Sequence, residues 1–251
     1  MARLDIAPRT ARAASAYPMP FDGPVMRAAR LDALYGDASA EEIVEAALDT
    51  FGRGLTLVSS FGADAAVLLH IVSRIDPGLC VVFLETGRHF PETLAYVQTL
   101  REAFGLRRVV LRQPDADLCE AEDEDARLHA RNPDRCCEIR KVAPLAEALE
   151  GASAWLTGRR RDQTPERRFM PVFEPDGSRI KINPLGNWSR ADIRAYAARH
   201  ALPAHPLVAR GYPSVGCRPC TQAVAPGADP RAGRWRGAAK TECGIHLRPG
   251  T

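Results

Sequence analysis

The sequence contains no apolar run long enough to cross a membrane, and its first residues lack the apolar core of a secretory signal peptide. A large excess of charge of one sign is absent too, because 34 basic and 31 acidic side chains leave a net charge of only +3. So small an excess suits an anionic small substrate and gives no reason to expect a nucleic-acid or membrane partner. We therefore expect a cytoplasmic protein with reduced thiols, whose seven cysteines indicate metal or redox chemistry more than disulfide bonds.

The chain has no internal repeat and no long low-complexity tract, and changes in composition and hydrophobic pattern divide it into three segments. Residues 1–38 are rich in Ala, Arg and Pro and are expected to form an irregular extension. Residues 39–201 alternate short apolar runs with helical patterns, which predicts an α/β domain with a doubly wound, mostly parallel sheet. Residues 202–251 accumulate Pro and Gly and are expected to be a functional C-terminal segment laid over that domain. The predicted strands are 55–60, 80–86, 107–112 and 153–159, with a hairpin around "EPDGSRIKINPL".

Neither a Walker loop nor a GxGxxG motif is present, yet polar residues follow three of the predicted strands. The first strand ends in "SSFGADAAVLLH", where Ser59 and Ser60 offer hydroxyl groups and Gly62 permits close backbone approach. Arg88 follows the second strand, and the basic run Arg159–Arg161 follows the fourth. Ligands bind at the carboxyl ends of strands in an open α/β sheet, so together these loops indicate a phosphorylated nucleotide. Taken singly, each also fits an ordinary strand-to-helix turn or a solvated basic face.

Four of the cysteines fall into two pairs. Cys136 and Cys137 are adjacent, and Cys217 and Cys220 have the C-x-x-C spacing of a metal knuckle. Four thiolates suit either zinc or a [4Fe–4S] cluster, and the adjacent pair favours the cluster because structural zinc sites normally space their cysteines further apart. The remaining two cysteines of the α/β domain are predicted to be small buried residues, namely Cys80 and Cys119.

Cys243 stands outside both pairs, in "KTECGIHL" near the end of the sequence. Lys240 and His246 are close to it in sequence, and nearby cations lower the pKa of a thiol and favour a nucleophile. Glu242 is expected to act in the opposite direction. A terminal cysteine without a role is the alternative that composition leaves open.

These motifs, in this order, resemble the sulfonucleotide reductases, which comprise the assimilatory adenylylsulfate (APS) and phosphoadenylylsulfate (PAPS) reductases. The resemblance covers roughly residues 40–247 and rests on the motifs "SSFGADAAVLLH", "ETGRHFPET", "TGRRRDQ", "GYPSVGCRPCT" and "KTECGIHL". It implies a sheet of the adenine nucleotide alpha-hydrolase-like type with a C-terminal active-site segment. The APS branch carries the adjacent cysteine pair and the C-x-x-C and binds a [4Fe–4S] cluster, so the chain resembles that branch.

The resemblance also implies a reaction and the residues that perform it. Cys243 would attack the sulfur of APS, AMP would leave, and thioredoxin or a similar dithiol would release sulfite from the S-sulfocysteine, as a step in sulfate assimilation and cysteine biosynthesis. Lys141 would bridge cluster and substrate, while His246 and the pair Arg231 and Arg234 would hold the phosphosulfate. The nucleotide cleft would be lined by Ser59, Ser60, Gly62, Glu85, Arg88, Gly158, Arg159, Arg160 and Arg161. Assembly with further copies of the chain is left open.

Three alternatives remain at this point. A PAPS reductase would keep the chemistry and change the substrate. An ATP-pyrophosphatase-type enzyme would share the fold, although "SSFGAD" lacks the second glycine and the final serine of that family's loop. A regulator that binds zinc or a cluster without catalysis would leave Cys243 without a role.

The chain also departs from the reductases in "RWRGAAK", which is shorter and has a single Trp235, so we expect the packing of the tail to differ there.

Overall fold

A six-stranded sheet organises the chain in the computed structural model, which describes residues 23–235, 240 and 242–246. Its strands are β1 (Leu55–Ser59), β2 (Cys80–Leu84), β3 (Val109–Arg112), β4 (Ala154–Leu156), β5 (Phe173–Asp176) and β6 (Arg179–Ile182). They lie in the order β3-β2-β1-β4-β6-β5. All neighbouring pairs are parallel except β5 and β6, which form a hairpin. The predicted doubly wound, mostly parallel sheet is confirmed.

Helices connect the strands and cover both faces of the sheet. They are α1 (Pro24–Tyr35), α2 (Ala40–Phe51), α3 (Ala65–Ile75), α4 (Pro91–Ala103), α5 (Ala116–Asp123), α6 (Leu128–Arg131), α7 (Pro133–Cys137), α8 (Ala143–Ala148) and α9 (Arg190–Arg199). A π-helical turn covers Glu138–Val142, and short 3-10 turns include Pro165–Arg167, Arg218–Cys220 and Gly244–His246. Within the described residues, no helix combines the length and apolar character that a membrane span needs.

Local sequence and burial agree in the first half of the domain. Every residue of β1 is buried, as expected for a parallel strand covered by helices on both faces. Helix α2 begins at a capping box, in which the Ser39 side chain accepts from the Glu42 N–H and the Glu42 side chain accepts from the Ser39 N–H. This helix start follows from the local sequence, because a serine with a glutamate three residues later is the pattern of a capping box.

The central position of β1 determines where a ligand can bind. Strand β1 lies between β2 and β4, with Ser59 paired to Phe83 and Leu57 paired to Leu156. From β1 the sheet extends in both directions, through β2 and β3 on one side and through β4, β6 and β5 on the other. In such a sheet the crevice beyond the carboxyl ends of the central strands is the natural ligand site, and the loops after β1 and β4 flank it.

The chain after α9 runs across this crevice in short turns. The Arg218 N–H donates to the Arg88 carbonyl over 2.7 Å, which ties the segment to the loop after β2. Gly62 in the loop after β1 lies so close to it that an added Cβ would be 3.1 Å from the Val215 carbonyl oxygen. The glycine therefore allows two stretches far apart in sequence to meet at one edge of the sheet.

The segment 1–38, which was expected to be an irregular extension, contains a helix in the part that the structure describes. Residues 24–35 form helix α1, which starts at a proline in its first turn and packs against β5. Residues 1–22 lie outside the described residues. The helix was missed because its apolar face is short, although the spacing of its buried residues Ala28, Leu31 and Tyr35 is helical.

A single carboxylate fastens α1 to the sheet. Asp32 Oδ1 accepts from the backbone N–H groups of Val172 and Phe173, over 2.8 and 2.9 Å. We expect Asp32→Ala to lower the free energy of unfolding by about 2 kcal/mol, because two backbone donors lose a charged acceptor. Urea denaturation measures the change. Asp37→Ala, at an exposed position one turn beyond the helix, is the matched control, and an equal loss in both variants would contradict this role.

Candidate active site

A cavity of about 260 Å³ opens beyond the carboxyl ends of β1 and β4. The loops after these two strands form one side of it, and the C-terminal segment forms the other. The predicted site residues that line it are Ser59, Ser60, Gly62, Lys141, Gly158, Arg159, Arg160, Arg231, Arg234, Cys243 and His246. The structure therefore brings together most of the residues that the sequence singled out.

The loop after β1 is held in a tight turn. The Ser59 hydroxyl accepts from the Phe61 N–H over 3.2 Å, and Phe61 has a positive φ of 47°. A positive φ is costly for an aromatic residue, and its side chain offsets this by complete burial, packed edge-to-face on Phe83. This arrangement presents Ser60 and Gly62 to the cavity. Sequence reasoning missed Phe61, since nothing in "SSFGAD" distinguishes it from an ordinary apolar residue.

The arginines after β4 are neutralised by carboxylates. Arg160 pairs with Asp64 over 2.8 Å and with Asp162 over 2.9 Å. Arg159 pairs with Glu174 and also donates to Asn183. The pair of Arg160 with Asp64 joins the loops after β1 and β4, and the pair of Arg159 with Glu174 joins the loop after β4 to strand β5.

Three predicted cleft residues lie elsewhere. Arg161 donates to the Met170 carbonyl over 2.7 Å, and the Glu85 carboxylate accepts from the Gly87 N–H over 2.9 Å. Arg88 donates to Asp123 over 3.0 Å and faces the cysteines instead of the large cavity. The structure does not bring these three side chains to the large cavity. Their placement depends on partners distant in the sequence, which a strand-end pattern cannot identify.

The two cysteine pairs line a second, small cavity beside the first. The cavity is bordered by Cys136, Cys137, Cys217 and Cys220 together with cationic side chains. The first pair ends helix α7, and the second flanks a 3-10 turn in which the Cys220 N–H donates to the Cys217 carbonyl. The Thr86 hydroxyl lies 3.3 Å from the Cys217 sulfur.

Burial raises the pKa of two of these thiols. Burial, followed by the neighbouring Cys217, raises the pKa of Cys136 to about 11, and the same two causes raise the pKa of Cys220. Among residues 23–235, 240 and 242–246, no three His, Cys, Asp or Glu side chains have the arrangement of a single metal-ion site. The four thiols thus surround a cavity from two sides without meeting at one point.

A buried carboxylate organises the cations around the cysteines. Asp123 accepts from Arg88 and from Arg140, and the Arg140 side chain also donates to the Thr86 carbonyl over 3.0 Å. Although burial acts to raise the pKa of Asp123, the Leu128 N–H and the two guanidinium groups lower it below its ordinary value. The carboxylate therefore stays ionised. Asp123 and Arg140 were missed because the acidic stretch 115–126 gives no sign that one of its members turns inward.

Cys243 lies where the two cavities meet. Its sulfur is 3.8 Å from Lys141 Nζ. A hydrogen bond from the Cys137 thiol lowers the pKa of Cys243 well below its ordinary value, burial opposes this, and Lys141 and the Ile245 N–H lower it further. Burial acts to lower the pKa of Lys141, but the sulfurs of Cys243, Cys217 and Cys137 raise it above its ordinary value. The arrangement favours a thiolate facing an ammonium group.

The cations expected beside Cys243 are not the ones that face it. Lys240 pairs with Asp134. Burial, followed by the charges of Lys181 and Arg159, holds the pKa of His246 well below its ordinary value, so this imidazole is neutral. The expectation that His246 helps as a cation is wrong because the sequence cannot show how deeply it is buried.

Glu242 acts differently from the expectation as well. Burial acts to raise its pKa, but the buried Arg167, 2.6 Å away, lowers it below its ordinary value. Its other oxygen accepts from the Cys243 N–H over 2.8 Å. The carboxylate is therefore balanced by Arg167 and fastens the tail instead of opposing the thiolate.

The arginines of "RAGR" reach the cavity from the C-terminal segment. Burial, then Arg234, lowers the pKa of Arg231 to about 10, so it remains a cation at neutral pH. The Arg234 guanidinium lies 4.5 Å from the centre of the Trp235 ring and directly on Gly216, where an added Cβ would require the guanidinium to shift. The shortened stretch 236–239 lies outside the described residues.

Comparisons with known proteins agree with this geometry. The sequence pattern of the phosphoadenosine phosphosulfate reductase domain matches residues 54–223. A protein named adenosine 5'-phosphosulfate reductase from Chelativorans sp. (strain BNC1) is 52% identical over 235 residues, which are 93% of this chain and 96% of that protein. One named phosphoadenosine 5'-phosphosulfate reductase from Gloeobacter violaceus is 44% identical over 218 residues, covering 84% and 89%.

A solved structure shows the same fold. The crystal structure of phosphoadenylyl-sulfate (PAPS) reductase from Candida auris superposes with a TM-score of 0.67 at 28% identity, covering 79% of this chain and 96% of that one. This likeness confirms the predicted adenine nucleotide alpha-hydrolase-like sheet. With identity shared along most of its length and the domain pattern matched at its centre, the chain belongs to the phosphoadenosine phosphosulfate reductase family.

Proposed function

We propose that the protein reduces APS to sulfite and AMP through a sulfonated Cys243, which a cytoplasmic thioredoxin discharges, as a step of assimilatory sulfate reduction toward cysteine. The observation that carries the proposal is the position of Cys243. Its sulfur lies at the nucleotide cavity, 3.8 Å from Lys141 Nζ and beside the four-cysteine cavity. The names of the relatives support the substrate.

The first step is a displacement at sulfur. The Cys243 thiolate forms a bond to the sulfur of APS, the bond from that sulfur to the phosphate oxygen breaks, and AMP departs with the electron pair. Lys141, Arg231 and Arg234 supply positive charge at the cavity wall, where the sulfate and phosphate oxygens gain charge. The neutral His246 offers a hydrogen bond without adding charge.

The second step releases the product. A thiolate of thioredoxin attacks the Cys243 sulfur, the bond from that sulfur to the sulfonate breaks, and sulfite leaves with the electron pair. The second thiol of thioredoxin then attacks the mixed disulfide, so that Cys243 becomes a thiol again and thioredoxin a disulfide. The two electrons come from the dithiol. Because a protein partner must reach a sulfur that faces a cavity, the tail has to leave the cavity between the two steps.

The four cysteines fit a [4Fe–4S] cluster. Cys136, Cys137, Cys217 and Cys220 are four soft donors around one cavity, and a four-iron cube takes each thiolate on a different iron. The cations of the cavity wall, Arg88, Arg140 and Lys141, would balance the charge of the bound thiolates. When bound, the cluster would supply an electrostatic influence on Lys141 and no electrons to the substrate.

The substrate assay tests the proposed function. We expect sulfite release from APS with a higher kcat/KM than from PAPS, because the cluster cysteines mark the APS branch and Asp64 and Asp162 neutralise Arg160 in the cavity wall. Cys243→Ser should bind APS and release no sulfite. Equal or better turnover of PAPS would assign the protein to the other branch, and no sulfite from either nucleotide would overturn the proposal.

Iron content tests the cofactor. Protein purified under anaerobic conditions should be brown and contain about four iron atoms per chain, as a [4Fe–4S] cluster with four cysteine ligands requires. Changing any one of Cys136, Cys137, Cys217 or Cys220 to Ser should lower iron content and activity together. Cys80→Ala, in strand β2, is the matched control and should keep both. A colourless protein that holds one tightly bound zinc ion would contradict the cluster.

Lys141 separates catalysis from cluster binding. Lys141→Ala should retain its iron yet lose about a hundredfold in kcat, because the ammonium group next to the reacting sulfur is gone. Lys240→Ala is the control, since that lysine is near Cys243 in sequence but pairs with Asp134. Wild-type turnover in an iron-replete Lys141→Ala protein would remove the ammonium group from the mechanism.

A further inference from the structure

A second buried lysine reaches from the sheet to the 3-10 turn Gly244–His246, which follows Cys243. Lys181 on β6 is 5% exposed, and its side chain extends over the Trp155 ring at 4.7 Å from the ring centre. Its ammonium nitrogen donates to the Ile245 carbonyl over 3.3 Å. Neither the motifs nor the mechanism above use this residue. It is not part of the wall of the nucleotide cavity, so its head group is directed to the tail and not to a bound nucleotide.

Ile245 links that lysine to the nucleophile. Ile245 is the second residue after Cys243, in the middle of the turn Gly244–His246, and its side chain packs on the apolar cluster formed by Val58, Val82, Leu84, Leu145, Leu149 and Trp155. The 3-10 turn Gly244–His246 is one turn long, with the His246 N–H donating to the Cys243 carbonyl over 2.9 Å. So short a turn has little stability of its own. Contacts from outside the turn must therefore determine where the sulfur lies.

The surroundings make Lys181 costly to bury. Burial, followed by the charges of Arg159 and Arg167, lowers the pKa of Lys181 to about 7, while Asp176 and Glu242 act to raise it. A buried amine without an acceptor would cost still more. The Ile245 carbonyl provides that acceptor, and both the charged and the neutral amine can donate to it.

We infer that Lys181 is a positioning residue, which holds the Ile245 carbonyl and thereby keeps the Cys243 sulfur at the nucleotide cavity. The inference rests on the proposed function for its catalytic consequence. The sheet supplies one fixed point, the lysine head group, and the core supplies the other, the pocket for the Ile245 side chain. Between them they fix Ile245 on two sides, and with it the short turn that directly follows Cys243. Displacing a reacting group by about 1 Å is enough to cost a large part of the rate.

The strand itself offers a matched control. Arg179 lies two residues before Lys181 on the same face of β6 and also donates to a backbone carbonyl, that of Leu149, over 3.1 Å. Lys181→Met removes the donor and keeps the apolar stem. Arg179→Met makes the same kind of change without touching the tail. Lys181→Arg restores a donor for the Ile245 carbonyl.

Two measurements on the holoenzyme test the inference. With iron content equal in all variants, we expect Lys181→Met to lower kcat and the single-turnover release of AMP by about tenfold, because the sulfur is displaced, and to leave KM for APS within about twofold. Without substrate, iodoacetamide should alkylate Cys243 about fivefold faster in Lys181→Met, since the tail leaves the cavity more often. Peptide mass spectrometry locates the label. Arg179→Met should match the wild type, and Lys181→Arg should recover at least half of the lost rate.

The outcomes are decisive in both directions. Unchanged kcat and unchanged alkylation in Lys181→Met would overturn the inference, as would an equal effect of Arg179→Met or a raised KM as the sole change. If the wild type formed no sulfite, the proposed function would fall, and the alkylation ratio would still decide whether Lys181 holds the tail.

Discussion

The contact between Lys141 Nζ and Cys243 Sγ, 3.8 Å long, connects two parts of the chain that are 102 residues apart. The lysine belongs to the π-helical turn Glu138–Val142, directly after the cysteine pair, and the cysteine belongs to the tail. The sulfurs of Cys137 and Cys217 also raise the pKa of this ammonium group. Lys141, together with Cys137, therefore connects the cysteine cavity to Cys243.

Ion pairs hold the frame on which that contact depends. Arg160 with Asp64 joins the loops after β1 and β4, Asp123 with Arg140 joins α5 to the π-helical turn, and Arg167 with Glu242 fastens the tail. Breaking a buried pair leaves an uncompensated charge, so each pair specifies one arrangement of its loops. The arginines that the sequence pattern assigned to nucleotide binding are thus partly structural. Because carboxylates already balance their charge, the positive charge that a ligand can meet is concentrated in one region of the cavity wall.

The sequence predicted those features that depend on local pattern. The strands, the capping box at Ser39 and the hairpin follow from apolar runs and turn residues, and the cysteine spacing anticipated that four thiols would share a cavity. Features that depend on partners far along the chain were not predictable. Asp123 turns inward from an acidic stretch, and His246 is neutral because of its burial.

Helix geometry gives a second example of this limit. Lys141 follows Cys137 by four positions, which on an α-helix places both on one face. The chain instead widens into a π turn there, with the Ala143 N–H donating to the Glu138 carbonyl, before α8 restarts with Pro144 in its first turn. Such turns occur often at functional sites. Proline marked the restart in the sequence, but the wider turn depends on the packing of the cysteine cavity.

Intact-mass spectrometry of the enzyme after incubation with APS and no reductant tests the central claim most directly. The account predicts one added sulfonate group per chain, located by peptide mapping at Cys243, formed together with one AMP and removed by reduced thioredoxin with release of sulfite. An unmodified enzyme that nevertheless releases sulfite when the dithiol is supplied would contradict the account, as would a sulfonate located at Cys80 or Cys119.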